Sequence, residues 1–275
     1  RKTLKCPNGI VLGTPGSGKS FFAKRERANA FFATPDHILI LDAENEYTAL
    51  TEQLHGQTIY LAPDSQSYLN PMDLDLSTDV GESPMLMQAD FLLSQCELMM
   101  ASYGNPLMPI EKSLIDRCIS LVYRDYLKNP RPENMPILGD LYQCLREQHN
   151  SRADDLATAM EIYVTGSLSY LNHRTNVDLN NRMVCYNISK LGQGLKKLVM
   201  SNVQKHIWQR TAVNRYAGIT TRIFLDEFHL LLKEPQTAAY TAEIYKRFRK
   251  WNGIPTSLTQ NVKDLLDSSE IENIL

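Results

Sequence analysis

Long hydrophobic runs are missing from this sequence. No segment approaches the roughly 18 uninterrupted apolar residues needed to span a bilayer. The nearest, Pro84 to Met100, is interrupted by Asp90, Glu97 and two glutamines. Any membrane role is therefore expected to run through partners. The opening residues also lack a signal-peptide pattern, because a glycine-rich loop begins almost at once. Cysteine is sparse and unpaired in pattern: five residues, at 6, 96, 118, 144 and 185, with no C-x-x-C. A disulfide framework is excluded, and reduced core thiols in a cytosolic setting are expected. The six histidines form no H-x-x-x-H pair, which argues against a protein-held zinc. Net charge is only −2, so no bulk positive field is available for coating nucleic acid, although a local basic groove stays open. Repeats and low-complexity tracts are absent too. What remains is an ordinary globular composition, 43% hydrophobic and 22% charged, over 275 residues: one large domain or two modest ones.

Against these absences stands "LGTPGSGKSFF". Gly13, Thr14, Pro15, Gly16, Ser17, Gly18, Lys19 and Ser20 fit G-x-x-x-x-G-K-[ST] at every fixed position. The glycines allow backbone N–H groups to turn inward around phosphates, and the following helix presents its positive N-terminus to the same anion. Lys19 is expected at the β- and γ-phosphates and the Ser20 hydroxyl on Mg²⁺, with Phe21 closing the nucleotide-binding stretch. The context is right: "NGIVLG" (8–13) reads as a buried strand and residues from Gly18 to about Phe31 as a helix.

"HILILD" (37–42) and "QTIYLA" (57–62) read as further buried strands, giving β-α-β alternation and a parallel sheet. From about Ser83 to Leu171 the pattern turns helical. Leu86, Ala89, Leu93, Cys96 and Met100 form one expected stripe, and Ile110, Leu114, Cys118 and Leu121 another. Breaks are expected at Gly104-Asn105-Pro106, Asn129 to Pro132 and Asn150-Ser151. Met85, Met87, Met99 and Met100 read as core packing, with a partner groove as the alternative. Strands return at 182–188, 221–228 and 254–261, with helices carrying Leu195, Val199, Val203 and Ile207, and spanning about 237–250. More than two hundred residues separate Lys19 from Asp226, so an all-α subdomain is expected to be inserted into the sheet fold. The expected organisation is a P-loop core (1–76), a helical insert (77–178) and the rest of the core (179–275).

"IFLDEF" places Asp226 and Glu227 at a strand's C-terminal end, where α/β sheets bind ligands. Asp226 is expected to hold Mg²⁺ and Glu227 to take a proton from attacking water. Asp42, Glu44 and Glu46 in "LDAENEY" either position water or metal or form a solvated acidic loop. Gln260 in "TQN" is either a γ-phosphate sensor or loop chemistry. In "KRFRKW", Arg247 and Arg249 are either arginine fingers or the basic end of a helix whose apolar stripe is Tyr240, Ile244 and Phe248.

In this order, "NGIVLGTPGSGKSFFAKRE", "ILDAENEY", "LNPMDL", "TNVDLNNRMVCYNIS", "RIFLDEFHLLL" and "KRFRKWNGIPTSLTQNVKDLL" resemble the C-terminal ATPase domain of the type IV secretion and conjugative-transfer ATPases. These are the TrbE/TraC kind, related to the fourth VirB component, within the HerA/FtsK group of RecA-like motors. The resemblance implies a RecA-like α/β P-loop core, ATP and Mg²⁺, and ATP hydrolysis in a homo-oligomer, a hexamer. It also implies a cytoplasmic place at the cell membrane, docked on other secretion components. By motif position it implies Glu227 as catalytic glutamate, Gln260 as sensor and Arg247 or Arg249 as finger. Asn187 departs from the acid that relatives often carry there. The family's N-terminal domain and most of its C-terminal continuation are not represented, so the sequence is expected to be a piece of a longer protein. Three other readings stay open: a DNA-translocating motor with Lys196, Lys197, Lys205 and Arg210 lining a pore, a phosphotransferase with a helical lid, and a slow nucleotide-dependent interaction module.

Overall fold

A computed structural model describes residues 7–14, 16–76, 83–101 and 107–260. The chain forms two compact units, one of 1–62, 178–191 and 203–275, the other of 63–177 with 192–202. The expected break at Gly104 to Pro106 lies outside the described residues.

The first unit is built on β1 (Gly9–Leu12), α1 (Lys19–Ala33), β2 (His37–Asp42), α2 (Thr48–Gln53) and β3 (Gln57–Tyr60). Among the described residues, six strands pair in parallel in the order β1-β6-β5-β2-β4-β3. The remaining three are β4 (Met183–Asn187), β5 (Thr221–Leu225) and β6 (Gly253–Thr259). Near-continuous apolar runs such as "ILIL" and "MVCY" follow from this placement, because a central parallel strand is buried on both faces. α1 packs on the sheet through Ala23 and Ala30, whose small side chains admit Ile38, Ile40, Cys185, Phe224 and Leu258. The expected strand through Phe228 stops earlier. Pairing ends at Leu225, Glu227 turns left-handed at φ 46°, and Phe228–Leu232 form a 3₁₀ turn.

The second unit contains α3 (Pro84–Ala101), α4 (Pro109–Val122), α5 (Arg124–Lys128), α6 (Leu138–Arg146) and α7 (Ser151–Val164). Carboxylates three residues into α4 and α6 reach back to their own N-caps: Glu111 accepts from Met108 N and Asp140 from Ile137 N, both at 2.8 Å. Asn150 caps α7, its side chain accepting from Arg152 N at 2.9 Å, which is why the chain breaks there. The helical stripes need correction, since Leu86, Ile110 and Leu121 are exposed. On α3 the expected Ala89, Cys96 and Met100 are buried, and the buried face extends through Gln88, Leu92, Gln95 and Met99. Two glutamines fit there because they are bonded: Gln88 donates to Pro71 O and to the Tyr123 hydroxyl, both at 2.9 Å. Met99 and Met100 are buried, and Met85 and Met87 half-buried. "LNPMDL" and "TNVDLNN" meet here, with Asn70 N donating to Thr175 Oγ1 and Tyr68 N to Asn176 Oδ1, each at 2.8 Å.

α8 (Gln193–Tyr216) contributes its first part, to Asn202, to the helical unit and the rest to the sheet unit. Leu195, Val199, Val203 and Ile207 are all buried as their spacing predicts. The four basic residues do not form an open stripe. Lys205 is buried, and the Arg210 guanidinium donates to Leu179 O and Asn180 O, each at 3.0 Å. α9 (Pro235–Phe248) buries Ile244 and Phe248, while Tyr240 is half-buried against Trp208. Cys96, Cys118 and Cys185 are buried free thiols and Cys144 a half-buried one. No described helix is long and apolar enough to cross a membrane.

Candidate nucleotide site

The parallel register brings the C-terminal ends of four strands to one edge. Leu12 pairs with Thr259, Leu225 with Ser257 and Leu41 with Leu225. Past these ends the chain stays tied across strands: Gly13 N donates to Thr259 O at 3.3 Å and Asp226 N to Leu41 O at 3.1 Å. The glycine-rich loop, Asp42, Asp226-Glu227 and Gln260 therefore emerge side by side from distant parts of the sequence.

Gly16 and Gly18 take φ of +78° and +86°, a backbone that a side chain would strain, and this turns the loop sharply into α1. Lys19 and Ser20 open that helix. Pro15, expected in the nucleotide-binding stretch, and Asn261 lie outside the described residues. The Phe21 side chain is 72% exposed.

Lys19 Nζ donates to Glu227 Oε1 at 3.0 Å and lies 3.7 Å from Asp226 Oδ1. Gln260 Nε2 donates to the same Glu227 oxygen at 2.6 Å. His229 Nδ1 lies 3.2 Å from Glu227 Oε2. The left-handed turn at Glu227 aims its carboxylate into this group. Burial would raise the Glu227 pKa, but hydrogen bonds from Gln260 and Lys19 and the charge of Lys19 outweigh it and hold it below the usual glutamate value. Asp226 goes the other way. It is 1% exposed, and burial pushes it up to about 7 against the charges of Lys19 and Arg27, with Glu227 and Glu46 adding to the rise. Asp226 Oδ1 is buried without a hydrogen-bond partner. A carboxylate oxygen with no hydrogen bond, near Lys19, and the hydroxyl of Ser20, the residue after Lys19, are donors of the kind suited to Mg²⁺, a hard cation that takes oxygen ligands.

The acidic loop after β2 divides by role. Asp42 is fully buried and organises the loop, accepting from Glu46 N at 3.0 Å, Tyr47 N at 2.9 Å and Glu44 N at 3.4 Å. Glu44 is exposed, and Glu46 is half-buried. Asn187 pins the same loop, donating to Asn45 Oδ1 at 2.6 Å and Thr48 Oγ1 at 3.0 Å, so an amide serves where an acid was the family expectation.

Arg247 is engaged on its own helix, donating to Glu243 at 3.2 Å with its guanidinium 5.5 Å from the Trp208 ring, and Arg249 is exposed. Two residues near the site escape sequence reasoning. His229 carries only the weak signal of following the acid pair by two. Arg27 sits two turns past Lys19, on the face marked by Ala23 and Ala30 as inward, so a charge at an inward position was the available clue.

A search of curated protein sequences returned no match. Among solved structures, VirB4 of Thermoanaerobacter pseudethanolicus is similar at TM-score 0.86 and 22% identity, over 100% of this chain and 75% of that one. The bacterial conjugative coupling protein TrwBdeltaN70, in complex with sulphate, is similar at TM-score 0.60 and 14% identity, over 98% of this chain and 66% of that one. At these identities the two likenesses show a shared RecA-like P-loop α/β fold. The family profile of the TraG P-loop domain matches residues 1–275, its whole length. With a nucleotide-type loop, an acid pair and a glutamine gathered at one sheet edge of that fold, the chain belongs to the TraG P-loop domain family of type IV secretion and conjugation ATPases.

Proposed function

We propose that this chain binds ATP with Mg²⁺ and hydrolyses it as one subunit of a homo-oligomeric ring, a hexamer. In this reading hydrolysis powers assembly of, or transport through, a type IV secretion or conjugation apparatus, on the cytoplasmic side of the membrane and docked there by other secretion components. The observation that carries it is the convergence of Lys19 and Gln260 on one oxygen of Glu227, with Asp226 alongside.

Ser20 and Asp226 would hold Mg²⁺, which when bound supplies charge neutralisation between the β- and γ-phosphates. Lys19 exchanges its carboxylate partner for phosphate oxygens as the triphosphate enters. Glu227, its Oε1 still held by Gln260, then has the acceptor position left by Lys19 with which to orient water and accept its proton. A water acceptor separates this site from a phosphotransferase, which places a substrate hydroxyl there. Arg247 or Arg249 serves in the neighbouring subunit's site, where a guanidinium stabilises charge on the transferring phosphoryl group. Direct DNA contact belongs to the alternative reading of a DNA-translocating motor, and the burial of Lys205 and the engagement of Arg210 weigh against the pore stripe on which that reading leaned.

The test is the ATPase rate per subunit against protein concentration for wild type, Glu227→Gln, Arg247→Ala and Arg249→Ala. A specific rate that climbs with concentration, and collapses in the glutamate variant and in one arginine variant, supports shared sites in a ring. A rate independent of concentration and indifferent to both arginines rejects it.

A further inference from the structure

Arg27 lies on the inner face of α1 and is 0% exposed. Its guanidinium carbon is 3.5 Å from the centroid of the Tyr47 ring and 4.4 Å from that of Phe224. Nε, Nη1 and Nη2 are all buried without a hydrogen-bond partner. Its companions on that face, Ala23 and Ala30, pack with Ile38, Ile40 and Leu258 in the apolar core. A leucine or methionine would fill such a position at no electrostatic cost. A guanidinium cannot shed its proton, and an unpaired buried charge is strongly unfavourable.

The two rings recover part of that cost, since a desolvated guanidinium over an aromatic face is attracted by the ring quadrupole. They also fix its place relative to the site. Phe224 lies on β5 two residues before Asp226, which follows the end of that strand, and Tyr47 follows Glu46 in the loop organised by Asp42. Lys19 and Ser20 belong to Arg27's own helix. All three elements that supply site residues from this side therefore meet on one cation. The charge of Arg27 acts on Asp226, which also feels Lys19, Glu227 and Glu46. Without Arg27, Lys19 would stand against the two carboxylates of Asp226 and Glu227 at a place proposed to take a highly anionic ligand.

We propose that Arg27 is an electrostatic positioning residue of the nucleotide site, its fixed buried charge offsetting the Asp226 carboxylate so that a nucleoside triphosphate can enter. The inference rests on the reading of the site as one for ATP. Because the charge lies in a low-dielectric core, bulk salt screens it little. Its effect grows with the charge of the ligand, which a mere packing role does not.

The experiment titrates ATP and ADP, each with EDTA and with Mg²⁺, into wild type, Arg27→Met and Arg27→Lys, alongside thermal melts. The melts establish that each variant is folded, since Arg27→Met removes both the cost of burying a guanidinium and its attraction for Asp226. The Kd of Arg27→Met for ATP should rise about tenfold and that for ADP distinctly less, with Arg27→Lys recovering most of the loss. Should Arg27→Met fail to fold, Arg27→Gln replaces it and the comparison with Arg27→Lys is read the same way. Unchanged ATP affinity in the uncharged variant overturns the proposal. So does an equal loss for ATP and ADP without recovery in Arg27→Lys, which would leave Arg27 a packing residue. A wild-type chain that binds neither nucleotide would instead defeat the ATP reading itself.

Discussion

Lys19 and Glu227, 208 positions apart in the chain, are joined by a hydrogen bond of 3.0 Å between ammonium and carboxylate. The residue expected at the phosphates and the residue expected at the water are thus each other's partners. Charge-assisted bonds of this kind are worth more than neutral ones, about 1.5–3 kcal/mol net. On the proposed reading, nucleotide entry exchanges this bond for one to phosphate, so that binding and release of the Glu227 carboxylate are coupled through one side chain.

Glu227→Gln removes the anion that holds Lys19 and the group that accepts the proton. Hydrolysis should fall by about 10²–10⁴-fold. ATP affinity should stay level or tighten, since Lys19 no longer leaves a carboxylate to meet phosphate. Equilibrium titration beside a steady-state assay reads both quantities, and weaker binding by the variant would contradict the coupling.

Gln260 contacts Glu227 Oε1 at 2.6 Å, so in the proposed reaction it would act through Glu227. Gln260→Ala should lower kcat by about tenfold, the value of one hydrogen bond of about 1.4 kcal/mol, with KM little changed. Gln260→Glu sets two carboxylates together and should be worse than alanine. A loss confined to KM would place Gln260 on the nucleotide instead.

Asp42 accepts from three backbone N–H groups while fully buried. Asp42→Ala leaves those donors unsatisfied and should destabilise the protein by about 2–4 kcal/mol. Asp42→Asn, which keeps the shape but one accepting oxygen fewer, should cost less. Urea denaturation measures the difference, and a nearly neutral Asp42→Ala would show that the loop does not depend on this carboxylate.

His206 on α8 is buried, its Nε2 without a hydrogen-bond partner, and burial together with the charge of Lys205 lowers its pKa from 6.5 to about 3. Between these values the unfolded chain binds a proton that the folded chain refuses. Its contribution to stability is therefore complete above pH 6.5 and is lost progressively as pH falls toward 3. From pH 7.5 to 5.5 the wild type should lose about 1 kcal/mol more than His206→Gln, whose side chain does not titrate. Parallel losses in the two proteins would remove His206 from the account.

The strands were legible because central parallel strands are apolar on both faces and bounded by turn residues. "HILILD" is β2 from end to end. Helix faces were harder to read: a stripe drawn through hydrophobic residues alone left out Gln88 and Gln95, which are inward because Gln88 finds Pro71 and Tyr123 and Gln95 finds Leu198 O. The end of β5 was misplaced for a related reason. Phe228 looks like a strand residue, but the left-handed turn at Glu227 has already ended pairing, and it delivers the Glu227 carboxylate to Lys19, a contact that no local pattern encodes.

By itself the sequence determined the chemistry on offer at each position: a glycine-rich turn ahead of a helix, an acid pair after an apolar strand, a glutamine after another. Those are local properties, set by backbone freedom and hydrophobic runs. Only the tertiary structure decided which groups meet. The strand order β1-β6-β5-β2 places Gly13, Gln260, Asp226 and Asp42 at one edge, and burial then separates their roles. The same placement makes Asp42 a loop anchor, Glu227 a bonded anion, and Arg27 a charge enclosed by two rings. Desolvation and long-range attraction depend on neighbours brought together by folding, which is why spacing along the chain could not reveal them.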